Sequence, residues 1–340
     1  MASKSRRTNR EEARSIVGWD GVRFTVPSDW TVTGVSLDRA NGYLKVDSPE
    51  TMFLQVKWAD HKAQRPRSLA GLAAQALRSL RGIPEQDGET PELRPLLDTF
   101  LKETAKRAKK EHRSFECKVK PPTTEAGGER VALHFSWTGG GIGQGKIWFC
   151  NVCRRMVVAQ VVGQPKDPVT DLAASIFGDM RDHPEDAWTV WGLFDLVVGI
   201  PEGFALRSHK LLSGYLKLEF ANRLCGRIVI ERWGLANVVR RKFTVEEWLR
   251  QMSEARRHDV QYAHVQANGH DAVQATGRVR GPLGLIAAYR EALPSLRPAL
   301  RYEACAWECG ESNKIYAVQA WTPLQSAGLL GDLAARCECH

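Results

Sequence analysis

Trp148-Phe149-Cys150-Asn151-Val152-Cys153-Arg154-Arg155, followed by the apolar run Met156 to Val162, is the stretch from which the fold can be read. An apolar segment stops at a short polar turn, and a second apolar segment starts behind a cation, as in a tight β-hairpin. The pattern returns as Trp307-Glu308-Cys309-Gly310-Glu311-Ser312-Asn313-Lys314, followed by Ile315 to Ala320. In both, a Trp stands two residues before a Cys, so the pair shares one face of its strand. A closing helix follows each hairpin, Thr170 to Arg181 in the first and Ala327 to Arg336 in the second.

Outward from the hairpins the matching continues. Phe24-Thr25-Val26-Pro27 corresponds to Val198-Gly199-Ile200-Pro201, and Gly42-Tyr43-Leu44-Lys45-Val46 to Gly214-Tyr215-Leu216-Lys217-Leu218. Gln55-Val56-Lys57-Trp58 corresponds to Ile230-Glu231-Arg232-Trp233. The chain therefore reads as one domain written twice, and its 340 residues suit two domains. The expected division is a disordered basic tail over 1–14, a first repeat domain over 15–186 and a second over 187–340. Trp58 with Trp233, and Cys150 with Cys309, are expected at equivalent places.

Each copy opens as a β-meander, with Asn41-Gly42 marking a hairpin turn in the first. Helical spacing of apolar residues follows from Ser68 to Leu80, over Leu93 to His112, over Val245 to Arg256, and within the insertion Pro282 to Pro298 at Leu283 to Leu293. The expected fold class is α+β: two tandem copies of an antiparallel β-sheet domain with packed helices. At this point the residues resemble a family. Phe24-Thr25-Val26-Pro27-Ser28-Asp29-Trp30 and Gly199-Ile200-Pro201-Glu202-Gly203-Phe204 are similar to the opening of PsbP-like domains. That resemblance implies an α/β/α sandwich and non-enzymatic binding or chaperone-like work on a protein partner.

The composition excludes some classes. Apolar residues make up 43% and charged residues 26%, enough for a buried core. The apolar runs are short and interrupted, as by Asp195, so no membrane span is expected. The basic start has no apolar stretch behind it, which points to a cytoplasmic location. The net charge of +9 invites an anionic partner. Its excess, however, concentrates in the tail and in 102–113, around Lys106-Arg107 and Lys109-Lys110, and reads as a solvated surface. Polyanion binding through 102–113 is thus the third reading, and nucleic acid is disfavoured. Gly140-x4-Gly145-Lys146 spells most of a phosphate loop, yet Ile147 replaces the Ser or Thr needed for the metal, so the stretch reads as a hairpin tip. No GxSxG or HExxH pattern occurs, and the chain is read as a protein other than an enzyme.

The eight cysteines carry the remaining chemistry. In a reducing compartment clustered Cys points to metal or redox work more than to cross-links. Cys150-x2-Cys153 has knuckle spacing, and His183, beside Asp182, would meet it if the closing helix packs along the hairpin. The second copy offers Cys305, Cys309, Cys337, Cys339 and His340, with Ser312 in the place of Cys153. Thiolate with imidazole suits tetrahedral Zn²⁺, so a zinc- or thiol-dependent protein is the second reading. His258, His264 and His270 read as structural, and Cys117 and Cys225 as isolated thiols. The leading reading is a two-domain adaptor or chaperone-like protein that binds a protein partner.

Overall fold

The computed structural model describes residues 13–38, 41–61, 91–222, 226–252, 259–278, 300–323 and 328–339. The chain divides into two compact units: Val22–His183 with the residues up to Ile16, and Pro184–His340 with Val17–Gly21.

The first unit carries strands β1 (Arg14–Trp19, whose last three residues belong to the second unit), β2 (Val22–Pro27), β3 (Thr31–Asp38), β4 (Asn41–Asp47) and β5 (Phe53–Asp60). Helix α1 (Leu93–Lys110) follows, then β6 (Glu116–Val119), β7 (Thr123–Glu125), β8 (Arg130–Thr138), β9 (Ile142–Cys150), β10 (Arg155–Gly163) and helix α2 (Val169–Asp179). Its sheet runs β3-β4-β5-β10-β9-β8-β6, with β7 also paired to β8.

The second unit carries β11 (Trp188–Leu193), β12 (Leu196–Pro201), β13 (Ala205–Leu212), β14 (Tyr215–Ala221) and β15 (Arg227–Gly234). After the single turn α3 (Ala236–Val239) and helix α4 (Val245–Met252) come β16 (Asp259–Ala267), β17 (His270–Arg278), β18 (Leu300–Cys309) and β19 (Lys314–Pro323). Helix α5 (Leu329–Ala335) and β20 (Cys337–Glu338) close it. Its main sheet runs β13-β14-β15-β19-β18-β17-β16, strand for strand the order of the first. A smaller sheet contains β11, β12 and β20, and Gly18 pairs with Gly192 of β11. Trp191 packs edge-on against Trp19 and Phe220, each at 4.9 Å between ring centres.

In the first unit, alternation along the strands sends Leu133, Phe135, Ile147, Phe149 and Val158 to one face, where Leu93, Leu97 and Leu101 of α1 cover them. Those leucines recur every fourth residue, so one stripe of the helix is buried, and each contributes about 1.5–3 kcal/mol by leaving water. In the second unit Trp248 and Leu249 of α4 cover Val229, Tyr302, Ala304, Ala306, Ile315 and Ala317.

The fold class is a correction. Of the described residues 55% lie in strands and 19% in helices, and three antiparallel sheets form a β-rich fold in place of the expected α+β sandwich with packed helices. Two long hairpins account for much of this: β8–β9 and β16–β17 each join strands of nine residues. The helices expected at Ser68–Leu80 and Leu283–Leu293 lie outside the described residues. No helix among the described residues is long and apolar enough to cross a membrane.

Register corrects two finer expectations. Trp58 pairs with Val157 and so shares a face with Trp148. Trp233 pairs with Ile315, which lies across from Glu308, and therefore faces the side opposite Trp307. The residue standing where Trp58 stands is Arg232, because a one-residue slip moves a side chain to the other face. Asn41 and Gly42 open β4 instead of forming its turn, and Gly42 lies beneath Trp58, whose ring would come within 2.0 Å of an added Cβ. The Gly-rich stretch near Lys146 is strand: Gly143 and Gly145 pair with Trp137 and Phe135, whose rings lie over them. Lys146 is ion-paired to Glu125.

Candidate metal centre

β9 ends at Cys150, fully buried, and the chain turns through 151–154 before β10 begins at Arg155. Arg154 takes a positive φ of 57°, and the turn is tied down where the Asn151 N–H donates to the Glu129 carbonyl at 2.8 Å. The other half of the group arrives after α2, which packs on β9 and β10. There Arg23 and Arg181 exchange backbone hydrogen bonds of 2.9 and 2.8 Å, so the segment leaving the helix is held by one isolated β-bridge. The next two residues are Asp182 and His183, and that bridge delivers them to the hairpin end.

Asp182 is fully buried and its carboxylate is already occupied. Oδ1 accepts from Arg130 Nη2 at 2.8 Å and lies 2.8 Å from His183 Nδ1; Oδ2 accepts from Trp148 Nε1 at 2.7 Å. Burial pushes this carboxyl up, but the Arg130 charge, the hydrogen bonds from Trp148 and Arg130, and His183 outweigh it and hold it below the usual aspartate value. Arg130 also donates to the Met180 carbonyl, and Arg155 to that of Asp182, at 3.3 and 3.4 Å.

His183 Nδ1 lies 3.6 Å from Cys150 Sγ, and Cys153 Sγ lies 3.9 Å from the Asp182 carbonyl oxygen. The hydrogen bond that Cys153 gives to Cys150 pulls the Cys150 thiol down to about 6, against burial and the Asp182 charge. The same bond pushes the Cys153 thiol up, because a donor must keep its proton. The bond thus favours the thiolate at Cys150 and the thiol at Cys153. Donor atoms of Cys150, Cys153, Asp182 and His183 all lie within 4.8 Å of one another, close enough to share one metal ion.

A second group forms in the other unit from His270, Cys309 and Cys339. His270 Nε2 lies 3.3 Å from Cys339 Sγ, and Cys309 Sγ lies 3.7 Å from the Cys339 carbonyl oxygen. Burial raises the Cys339 thiol to about 11. Of the donors named from sequence in this half, Cys309 and Cys339 come together, while Cys305 and Cys337 join no such group among the described residues. Cys305 lies two residues from Trp307 on the same strand face, buried, its thiol pushed up to about 11 by that burial. Cys337 is buried in β20 across from Val198. His340 and Cys225 lie outside the described residues, and Cys117 is exposed.

Sequence reasoning passed over two residues. His270, read as structural, enters because it directly follows the Asn268-Gly269 turn, both residues at positive φ, and starts β17 beside β18. Arg130 enters because it pairs with Cys150 across the β8–β9 ladder. Neither signal is visible until the strand register is known. Comparison of the sequence with protein-family models and with curated proteins found no match.

Proposed function

We propose that this chain is a two-unit binding protein, not an enzyme, whose first unit uses Zn²⁺ to fix the Cys150–Cys153 turn as part of a surface for a protein partner. The observation carrying this reading is the convergence of Cys150, Cys153 and His183 beside a carboxylate already held in place. Zn–S bonds of about 2.3 Å and Zn–N bonds of about 2.0–2.1 Å put adjacent tetrahedral ligands roughly 3.5 Å apart. The separation of 3.6 Å between His183 Nδ1 and Cys150 Sγ fits that edge. Two sulfurs and an imidazole are the donors a borderline-soft ion prefers.

Asp182 serves better as the anion held by Arg130 and Trp148 than as a fourth ligand, and His183 Nδ1 would exchange its contact with Asp182 for the metal. Removing Asp182 from Arg130 would leave a buried guanidinium unpaired. Water completes the four, reaching the site past the partly exposed His183. The partner reading draws on Val152, 57% exposed at the tip of the turn between the two cysteines. A metal that fixes the turn also fixes that apolar tip. The identical strand order of the two main sheets supports reading the chain as a tandem duplication.

The test is metal analysis of purified full-length protein beside a melting curve with and without chelator. At a free ion concentration a thousandfold above Kd, binding stabilises the folded state by about 4 kcal/mol. For a domain of this size that lowers the melting temperature on chelation by roughly 8–16 °C. Val152→Asp should weaken capture of the same partner that chelation releases. A metal-free protein with an unchanged melting temperature, or one carrying a Cys150–Cys153 disulfide, overturns the zinc reading.

A further inference from the structure

Two segments that are far apart in sequence meet at the β18–β19 turn of the second unit. The β17–β18 ladder ends with Ala272 across from Trp307, and His270 and Cys309 lie two residues beyond that pair on their strands, with donor atoms within 4.8 Å of each other. Cys339 arrives from the C-terminal end. Cys337 and Glu338 pair with Val198 and Val197 of β12, which fixes the direction of the chain as it leaves β20. The Asn268 side chain, in the turn just before His270, donates to the carbonyls of Ala334 and Cys337 at 2.7 and 2.8 Å. The Tyr316 hydroxyl donates to the Cys339 carbonyl at 3.3 Å. Three independent anchors therefore bring Cys339 against His270 and Cys309.

Cys309 is fully buried and Cys339 is 5% exposed, while His270 is half-buried. The His270 Nε2 to Cys339 Sγ separation of 3.3 Å matches the edge of a tetrahedral Zn²⁺ site, roughly 3.5 Å. No carboxylate belongs to this group. In the first unit the position across from the hairpin Cys holds Arg130, a permanent cation that cannot ligate a metal. Here the corresponding residue, counted from the pair that each hairpin Trp makes, is a histidine.

We infer that the second unit contains its own binding site for a soft divalent ion, Zn²⁺ or a Co²⁺ probe, with His270, Cys309 and Cys339 as ligands. This site is independent of the one at Cys150 and differs from it by having an imidazole in place of Arg130 and no carboxylate. Binding deprotonates the two thiols and leaves three protein ligands, with a fourth position for water or another donor.

The experiment is a Co²⁺ titration of the full chain and of Cys150→Ser/Cys153→Ser, followed by the thiolate-to-Co²⁺ charge-transfer absorption. Two equivalents in the wild type and one in the double variant are expected. In the double-variant background, His270→Ala and Cys339→Ser should each weaken the remaining site by more than about 100-fold, the upper end of what loss of an outer partner costs. Should those variants fold poorly, X-ray absorption at the Zn edge of the Zn²⁺-loaded double variant reads the ligands directly, and two sulfur neighbours at about 2.3 Å are expected. One equivalent in the wild type and none in the double variant overturns this site and leaves the first. One equivalent in both overturns the first and leaves this one. A Zn shell of nitrogen and oxygen alone in the double variant also overturns it.

Discussion

The two hairpin ends show what a shared frame constrains and what it leaves open. In each unit a strand ends in a buried Cys two residues after a Trp, and a segment after a short helix closes over it. In the first, the closing residue is Asp182, and Trp148 and Arg130 both donate to it. In the second it is Cys339, flanked by His270 and held through its backbone by Tyr316. Bridge and ladder make the positions comparable: Arg181 pairs with Arg23 of β2 one residue before Asp182, and Glu338 pairs with Val197 of β12 one residue before Cys339. One end is thus organised around a buried ion pair and the other around sulfur and imidazole. Exchanging Arg130 for His270 near the hairpin Cys goes with exchanging a carboxylate for a thiol on the closing segment.

The comparison breaks most sharply at Asp182. Asp182→Ala leaves Arg130 buried without its anion, and breaking such a pair costs about 3–5 kcal/mol. Cys339→Ala removes a neutral thiol and should cost well under half of that. Denaturant unfolding of the two metal-free variants checks the order; equal losses would mean that the ion pair does not organise the first end. The sign with pH follows from the depressed Asp182 carboxyl. Its contribution is present above the unfolded aspartate pKa near 4 and is lost as pH falls through the lower folded value.

How much of this could be read beforehand follows from which contacts are local. The Cys-bearing hairpins are visible because turn residues and apolar runs are adjacent in sequence. Cys150, Cys153 and His183 could be proposed together because two of them share a turn and the third ends the helix that follows. His270 could not, since it meets Cys309 only once β17 has paired with β18, and 38 positions that include an insertion separate the two residues in sequence. The Trp58 and Trp233 pairing failed for a related reason: identical residues attract an alignment, while the face a residue occupies depends on parity. The weight of strand was underestimated because the long strands β16 and β17 alternate irregularly, a weaker signal than the amphipathic spacing that located α1 and α4.

A smaller effect sharpens the contrast in thiol chemistry. In metal-free protein the Cys150 thiol ionises near pH 6, below its unfolded value, so its contribution is present above the unfolded pKa and fades as pH falls through about 6. Cys153 behaves in the opposite sense: raised by the same hydrogen bond, it contributes below the unfolded thiol value and loses this as pH rises. Stability of the metal-free first unit should therefore rise from about pH 6 towards the unfolded thiol pKa of about 8.5, then fall. Thiolate absorbance should show one group titrating near 6, absent in Cys150→Ser. Cys339, raised to about 11, should give no titration in that range. A wild-type curve that Cys150→Ser leaves unchanged would erase the distinction.

The smallest expected effect concerns the other place where the units differ, the helix on the sheet face opposite the hairpin Trp. The first unit has the 18-residue α1 and the second the 8-residue α4. Lys102, Lys106, Arg107, Lys109 and Lys110 of α1 are exposed, and Lys106 lies 3.3 Å from Glu103. The buried stripe of α1 is Leu93, Leu97, Leu101 and Ala108, and the cations lie on its exposed side. Exposed pairs of this kind contribute about 0–1 kcal/mol. Replacing Lys106, Arg107, Lys109 and Lys110 with Gln should leave stability within about 0.5 kcal/mol. Retention on a polyanion column should also be nearly unchanged. If the helix did track a phosphate backbone, each lost cation would remove a counterion-release contribution, and the salt dependence of retention would flatten by nearly one unit of slope per contact. A large fall in retention, with a flatter salt dependence, would make α1 a polyanion surface and the difference between the units a functional one.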